Sequence, residues 1–222
     1  MARLLLIRHG ATAWNKETPG PYKVRAWADL PLHQTGIDEA KRLAQLLQRV
    51  PIDRLVSSDL QRASTTANII GQSHSPALSP ILTPDLRPWH MCALTGQDIT
   101  PQIVSLMKDL STNKPDVPIP GGESFNDFSR RVIPQLEGLM HAAQNSNHDI
   151  GVVTHTRDIR LLEAWLKAGG QGLKIDQNTM NREKEIAPGG LAEVAFTKSG
   201  EPKFSENPNI GGATRQSTRQ EG

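Results

Sequence analysis

Leu4, Leu5, Leu6 and Ile7 run together without a polar break and stop at Arg8-His9-Gly10. A helix would show a longer apolar stripe at three- and four-residue spacing, whereas a strand covered on both faces reads as a short unbroken apolar run. Arg3 to Ile7 is therefore predicted to be a strand in the middle of a sheet. The run is too short for a signal-peptide core, and nothing in the chain approaches the roughly 18 apolar residues of a membrane span. A second run of this type, Ile150 to Thr154, also ends in a histidine, His155.

The segments around these two runs alternate between strand and helix character. Thr35 is expected to cap a helix whose apolar face is Ala40, Leu43, Leu46 and Leu47. Arg54 to Ser57 reads as a strand, with Ser58 and Asp59 expected to cap a helix through Ala63, Ala67 and Ile70. Ser79 to Gly96 and Pro115 to Gly122 are rich in Pro and Gly and predict irregular chain. Phe128, Val132, Leu136 and Leu139 mark another helix, and Ile159, Leu162 and Leu166 a helix leaving the second strong strand. Leu191 to Thr197 is a last strand, expected to form a hairpin with Glu185-Ile186-Ala187 across Pro188-Gly189-Gly190. The pattern predicts an α/β fold of three layers, a mostly parallel central sheet with helices on both faces. A chain of 222 residues fits one α/β domain, taken as residues 1–206. Residues 207–222 have almost nothing to bury and are expected to be a disordered tail.

The formal net charge of +2 comes from scattered side chains and not from a basic block, so neither nucleic acid nor membrane is an expected partner. A single cysteine, Cys92, excludes an internal disulfide. It is expected to be an inert buried thiol, and it favours a cytoplasmic location.

The two histidine-ending strands carry the chemistry. Ligands of open α/β sheets bind beyond the carboxyl ends of strands, so His9 and His155 are expected to face one pocket. Arg8 would hold an anion near the His9 imidazole with a forked donor set, and Gly10 would let backbone approach it. Arg62 opens the helix after the second strand, where its guanidinium and the helix N-terminal amides would both address a phosphate. His33, His74, His141 and His148 have no such company and are read as solvated or loop residues.

Leu-Ile-Arg-His-Gly at 6–10, Trp14-Asn15, Trp27 to Leu32, Ser57 to Ala63, Gly121 to Phe125 and Val153-Thr154-His155 occur in this order. Together they resemble the histidine phosphatase, or phosphoglycerate mutase-like, superfamily from residue 3 to about residue 198. The resemblance implies a phosphoglycerate mutase-like fold with His9 as phosphorylated nucleophile. It also implies that Arg8, Arg62 and His155, the last protonated, bind the phosphoryl oxygens, with Asn15 at the pocket rim and neither metal nor other cofactor. Glu123 and Thr156 are expected near the phosphate or substrate, and the substrate is expected to be a small phosphorylated molecule or a phosphoprotein.

Two positions depart from the family pattern. Many relatives carry a glutamate, the proton donor to the leaving oxygen, where this chain has Pro88, and a glycine where it has Thr156. His90, Asp85, Glu123 and Asp158 are the substitute acids to consider, and His90 is preferred because it lies two residues on in the same loop. The departure leaves three readings: a phosphatase, a phosphoglycerate-type mutase, or a phosphate-binding module without turnover. The substrate loops, Pro19 to Leu30 and Leu82 to Gly122, carry no readable specificity code, though Trp27 and Trp89 are candidates to line them. The oligomeric state is not encoded in any feature of the sequence.

Overall fold

The apolar run at the N-terminus is indeed the centre of a sheet. The computed structural model describes residues 2–182 and 185–206, so the tail expected at 207–222 lies outside the described residues. β1 (Leu4–Arg8), β2 (Ile52–Ser58), β3 (Ile81–Thr83), β4 (Asp149–Thr154), β5 (Leu191–Phe196) and β6 (Pro202–Glu206) form a sheet of order β3-β2-β4-β1-β5-β6. The first four strands in that order are parallel, and β5 and β6 are antiparallel additions beyond β1. The helices are α1 (Gln34–Leu47), α2 (Gln61–Gln72), α3 (Pro101–Thr112), α4 (Phe125–Gln144), α5 (Thr156–Lys167) and α6 (Gln177–Met180).

Alternation along β1 explains why its run is unbroken. Leu5 and Ile7 join Leu43 and Leu47 of α1 and Ala67 and Ile70 of α2 on one face. Leu4 and Leu6 point the other way, into a larger core with Phe128, Val132 and Leu136 of α4 and Leu162 of α5. Both faces are covered, giving the three-layer α/β arrangement.

Several local expectations are corrected. Leu191–Phe196 pairs with β1 and β6, so no hairpin with Glu185 to Ala187 forms; instead that segment leads into a turn whose Gly190 carbonyl accepts from the Arg8 amide at 3.0 Å. The cap of α1 is His33, whose ring nitrogen accepts from the Thr35 amide. At α2 no side chain of residue 60 caps the helix; the Gln61 amide donates to Asp29 at 2.7 Å across the loop, while Asp59 pairs with Arg87. α3 has no counterpart among the sequence expectations, although Thr100 accepts from the Ile103 amide as its N-cap and Pro101 follows in the first turn. β3 sits at the sheet edge with Ile81 and Leu82 exposed, inside a stretch read as irregular. Cys92 is exposed, not buried, because it lies in a short 3-10 turn, Cys92–Leu94, whose buried residue is Leu94. Trp89, a candidate for the substrate loops, is fully buried against Phe125 and Phe128.

The turn after β1 is packed backbone against backbone. A Cβ on Gly36 would sit 2.1 Å from the Ala11 carbonyl oxygen, and one on Gly10 would sit 2.3 Å from the Gly36 carbonyl oxygen. At Gly10 the missing Cβ thus lets the backbone approach α1. Around it the His33 amide donates to the Ala11 carbonyl, the Ala11 amide to Glu39 and the Gly10 amide to Thr66. Gly36→Ala is expected to destabilise the protein by about 2–4 kcal/mol, because neither partner is a side chain that can swing away. Urea unfolding reads this as a lowered midpoint at unchanged m-value; an unchanged midpoint would contradict the tight contact.

Candidate active site

β1 and β4 run parallel with Arg8 opposite Thr154, and the His9 amide donates to the Thr154 carbonyl at 3.0 Å. That register carries both following residues to the same edge of the sheet. The His9 and His155 rings stand edge to face, centroids 5.0 Å apart, and both are buried. His9 Nδ1 lies 2.7 Å from the Gly10 carbonyl. A carbonyl only accepts, so Nδ1 carries the proton and the lone pair of the neutral ring is on Nε2. His155 Nε2 meets Ser58 Oγ, at the end of β2, at 3.1 Å.

Both histidines, Arg62 and Thr156 line one cavity of about 510 Å³, large enough for a small organic ligand. Arg62, in the first turn of α2, is buried and donates to the carbonyls of Ala28 at 2.7 Å and Ala26 at 2.8 Å. It thereby ties down the loop that brings Arg25 into the same cavity. Ala26 in that loop has φ 38°, a left-handed conformation that a side chain disfavours. Such strain is held in place only by surrounding contacts and recurs at ligand sites.

Burial, followed by the charge of Arg62, pushes the pKa of each histidine well below its ordinary value. Both rings are neutral near pH 7. For His155 the cations around it repel a further proton, and the anion expected against the ring would raise its pKa. Burial and the neighbouring Arg25 bring Arg62 down to about 9, and burial and Arg8 bring Arg25 to about 10, values at which both remain charged.

The other expected site residues take supporting positions and do not line the cavity. Arg8 is buried behind His9, donating to the Ile186 carbonyl and pairing with Glu185 at 3.3 Å, so it holds the segment before β5. Asn15 is buried and accepts from the Thr12 amide and hydroxyl, both at 3.0 Å, which fixes the loop after β1. Glu123 pairs with Arg131 at 2.6 Å and accepts from the His90 amide at 2.8 Å. The His90 ring stacks on Trp27 with centroids 4.0 Å apart, outside the cavity. Pro88, by contrast, does line it. Arg25, Arg157, Arg160, Tyr22 and Glu185 are cavity residues that the sequence does not single out. Arg157 and Arg160 have a visible signal, two arginines just after His155 in a helix start; Arg25 has none, since nothing local sets a loop arginine's direction. Among the described residues no cluster of three or more His, Cys, Asp or Glu side chains could hold a metal ion, and no helix is long and apolar enough to cross a membrane.

Residues 4–192 match the Histidine phosphatase superfamily (branch 1). The chain belongs to that superfamily. It is 33% identical over 166 residues to phosphoglycerate mutase-like protein 4 of Arabidopsis thaliana, covering 72% of this chain and 69% of that one. It is 32% identical over 149 residues to a probable phosphoglycerate mutase, GpmB, of Yersinia pestis, covering 66% of each. A phosphoglycerate mutase structure from Thermus thermophilus superposes with a TM-score of 0.61 at 31% identity, over 87% of this chain and 93% of that one. The mycobacterial glucosyl-3-phosphoglycerate phosphatase shares the fold, with a TM-score of 0.73 at 21% identity over 93% and 98% of the two chains. The superfamily is one of phosphatase enzymes, and the names of these proteins divide between hydrolases and mutases.

Asp158, one of the substitute acids, is fully buried in the first turn of α5, accepts from the Thr154 hydroxyl and does not line the cavity. Burial raises its pKa from 3.8 to about 8, against the opposing pull of the Thr154 hydrogen bond and Arg131. The folded state holds this proton more tightly than the unfolded chain, so its contribution to stability is complete below the unfolded pKa and is lost as pH rises to the folded one. Asp158→Asn removes that dependence. Its stability relative to wild type is expected to rise by up to about 1.4 kcal/mol per pH unit between about pH 4 and 8. Denaturant titrations across that range check it, and a pH-independent difference would contradict a buried neutral carboxyl.

Proposed function

We propose that this protein is a metal-independent phosphatase that hydrolyses a phosphomonoester or phosphoramidate through a phosphohistidine on His9. The observation that carries the reading is the neutral His9 ring, its Nδ1 tied to the Gly10 carbonyl so that Nε2 is the nucleophilic nitrogen, lining a cavity shared with Arg62, Arg25 and His155. Nε2 attacks phosphorus, an N–P bond forms, and the bond to the leaving group breaks with its electron pair going to that group. Water then attacks the phosphohistidine and returns the imidazole. Charge spread over the phosphoryl oxygens is met by Arg62 and Arg25, which stay charged despite burial, and by the His155 ring. The amides at the start of α5 add to that field, since His155 caps the helix without a side-chain hydrogen bond.

The missing glutamate bears on the leaving group. Pro88 stands on the cavity wall, and His90 is stacked on Trp27 outside it. Among the described residues the carboxylate on the wall is Glu185, which is paired with Arg8. Weak assistance to departure favours phosphohistidine, acyl phosphates and aryl phosphates, whose leaving groups depart without protonation by the enzyme, over alkyl esters. The same weakness disfavours the mutase reading, in which a hydroxyl must be protonated and deprotonated in turn. The expected partner is a small phosphorylated molecule, with a phosphoprotein side chain as the second choice, and the lone cysteine favours the cytoplasm.

Release of phosphate from para-nitrophenyl phosphate in the presence of EDTA, by wild type and His9→Ala, tests the reading. Wild type is expected to be active, with an acid-labile, alkali-stable phosphoryl group on the protein during turnover, and His9→Ala to lose at least about 10³-fold in kcat. Conversion of 3-phosphoglycerate to its isomer without phosphate release would identify a mutase. Phosphate binding with no phosphoprotein and no turnover would identify a binding module.

A further inference from the structure

The segment before β5 is fastened to the strand that carries the nucleophile. The Arg8 amide donates to the Gly190 carbonyl at 3.0 Å, and the Gly189 amide donates to the His9 carbonyl at 3.2 Å. The Arg8 guanidinium reaches the start of the same segment, donating to the Ile186 carbonyl and pairing with Glu185. Arg8 is buried, so water does not compete for these contacts. Together they fix where Glu185 stands relative to the next residue of the chain, His9.

Glu185 is, among the described residues, the carboxylate that lines the cavity. The other carboxyls weighed for proton transfer, Asp85, Glu123 and Asp158, are not on its wall. The two oxygens of Glu185 differ in what they do. Oε2 takes the Arg8 guanidinium at 3.3 Å, whereas Oε1 has no hydrogen-bond partner among the described residues. The side chain is 42% exposed, so water reaches it. Its charge acts on Tyr22, Arg25 and Arg157, which line the same cavity. A carboxylate held by one oxygen and open at the other is placed to accept a proton from water, and in an ion pair it has none to donate.

We propose that Glu185 is the general base of the second half-reaction, taking a proton from the water that attacks the phosphoryl group on His9. This rests on the phosphatase reading for the intermediate itself. The water oxygen bonds to phosphorus as its proton passes to Glu185 Oε1, and the N–P bond breaks with its electron pair returning to His9 Nε2. The proton then leaves the half-exposed carboxyl for solvent. The chain thus helps water in while doing little to help the leaving group out, a division suited to substrates with good leaving groups.

Burst and steady-state kinetics with para-nitrophenyl phosphate separate the two half-reactions. The ratio kcat/KM reports the steps through phosphorylation of His9, and kcat includes breakdown of the phosphoenzyme. Wild type and the isosteric Glu185→Gln are compared, each checked for an unchanged circular dichroism spectrum and melting transition. Glu185→Gln is expected to lower kcat at least about tenfold while kcat/KM stays within about twofold of wild type. The alkali-stable phosphoryl group on the protein at steady state is expected to rise in the variant, with a burst of nitrophenol before slow turnover. A joint fall of kcat and kcat/KM without added phosphoenzyme would overturn the base, because that is the result if Glu185 only holds Arg8. A wild type that turns over through phosphohistidine and is indifferent to Glu185→Gln sinks the base alone. A wild type with neither phosphoprotein nor turnover sinks the phosphatase reading, and the base with it.

Discussion

The parallel register between β1 and β4 is the constraint from which the rest of the site follows. With Arg8 opposite Thr154 and the His9 amide bound to the Thr154 carbonyl, the residues that leave the two strands are neighbours. A slip of one residue would turn each strand's side chains to the opposite face and would separate the histidines. The cores on both faces of β1 forbid such a slip, because Leu4 and Leu6 fit one cluster and Leu5 and Ile7 the other. β2 on the far side of β4 then delivers Ser58 to His155, and α2 after it delivers Arg62.

A concentration of buried cations around two neutral imidazoles is the electrostatic consequence. Each arginine near His9 is supported differently: Arg62 by two loop carbonyls, Arg8 by a carbonyl and Glu185, Arg25 by the Trp14 carbonyl at 2.8 Å. Carbonyl dipoles hold a guanidinium in place without cancelling its charge, so the field at His9 stays positive. That field lowers the histidine pKa values and leaves the nucleophile unprotonated, and it favours an anion. The loop carrying Arg25 accepts a left-handed Ala26 to be held there, an instance of backbone strain placed where the ligand binds.

Much of the fold is legible from pattern. The two apolar runs, the helix faces of α4 and α5, most of the α1 face and the α/β layering follow from side-chain periodicity, which burial enforces directly; Leu46, expected on the α1 face, is exposed, since Ala40, Leu43 and Leu47 already fill the contact. The errors fall where periodicity is weak or shared. β3 has three residues, with Ile81 and Leu82 exposed at an edge, too few to show alternation. α3 carries Val104 and Leu106 on its exposed surface, which blurs its stripe although its Thr-Pro start is readable. β5 is legible as a strand but its neighbour is not, because pairing depends on the distant β1 and not on the turn that precedes β5.

In the site, the order of motifs and the strand-end positions of His9, His155 and Arg62 are enough to bring those three residues together, since strand ends and helix starts have fixed places in an α/β layer. Residue type alone does not tell which polar side chains face the cavity. Glu123 and His90 belong to loops, and their directions are set by Arg131 and Trp27; Asn15 and Arg8 turn to bind backbone groups of their own neighbourhood. The layers, the two histidines and the cationic character of the site are thus written in the order of residues, because they follow from hydrophobic period and local chemistry. The tautomer of His9, the charge of each imidazole, the arrival of Arg25 and the seating of Arg157 against Met107 and Trp89 exist only once the chain is folded. They depend on burial and on partners far away in the chain, and neither is a local property of sequence.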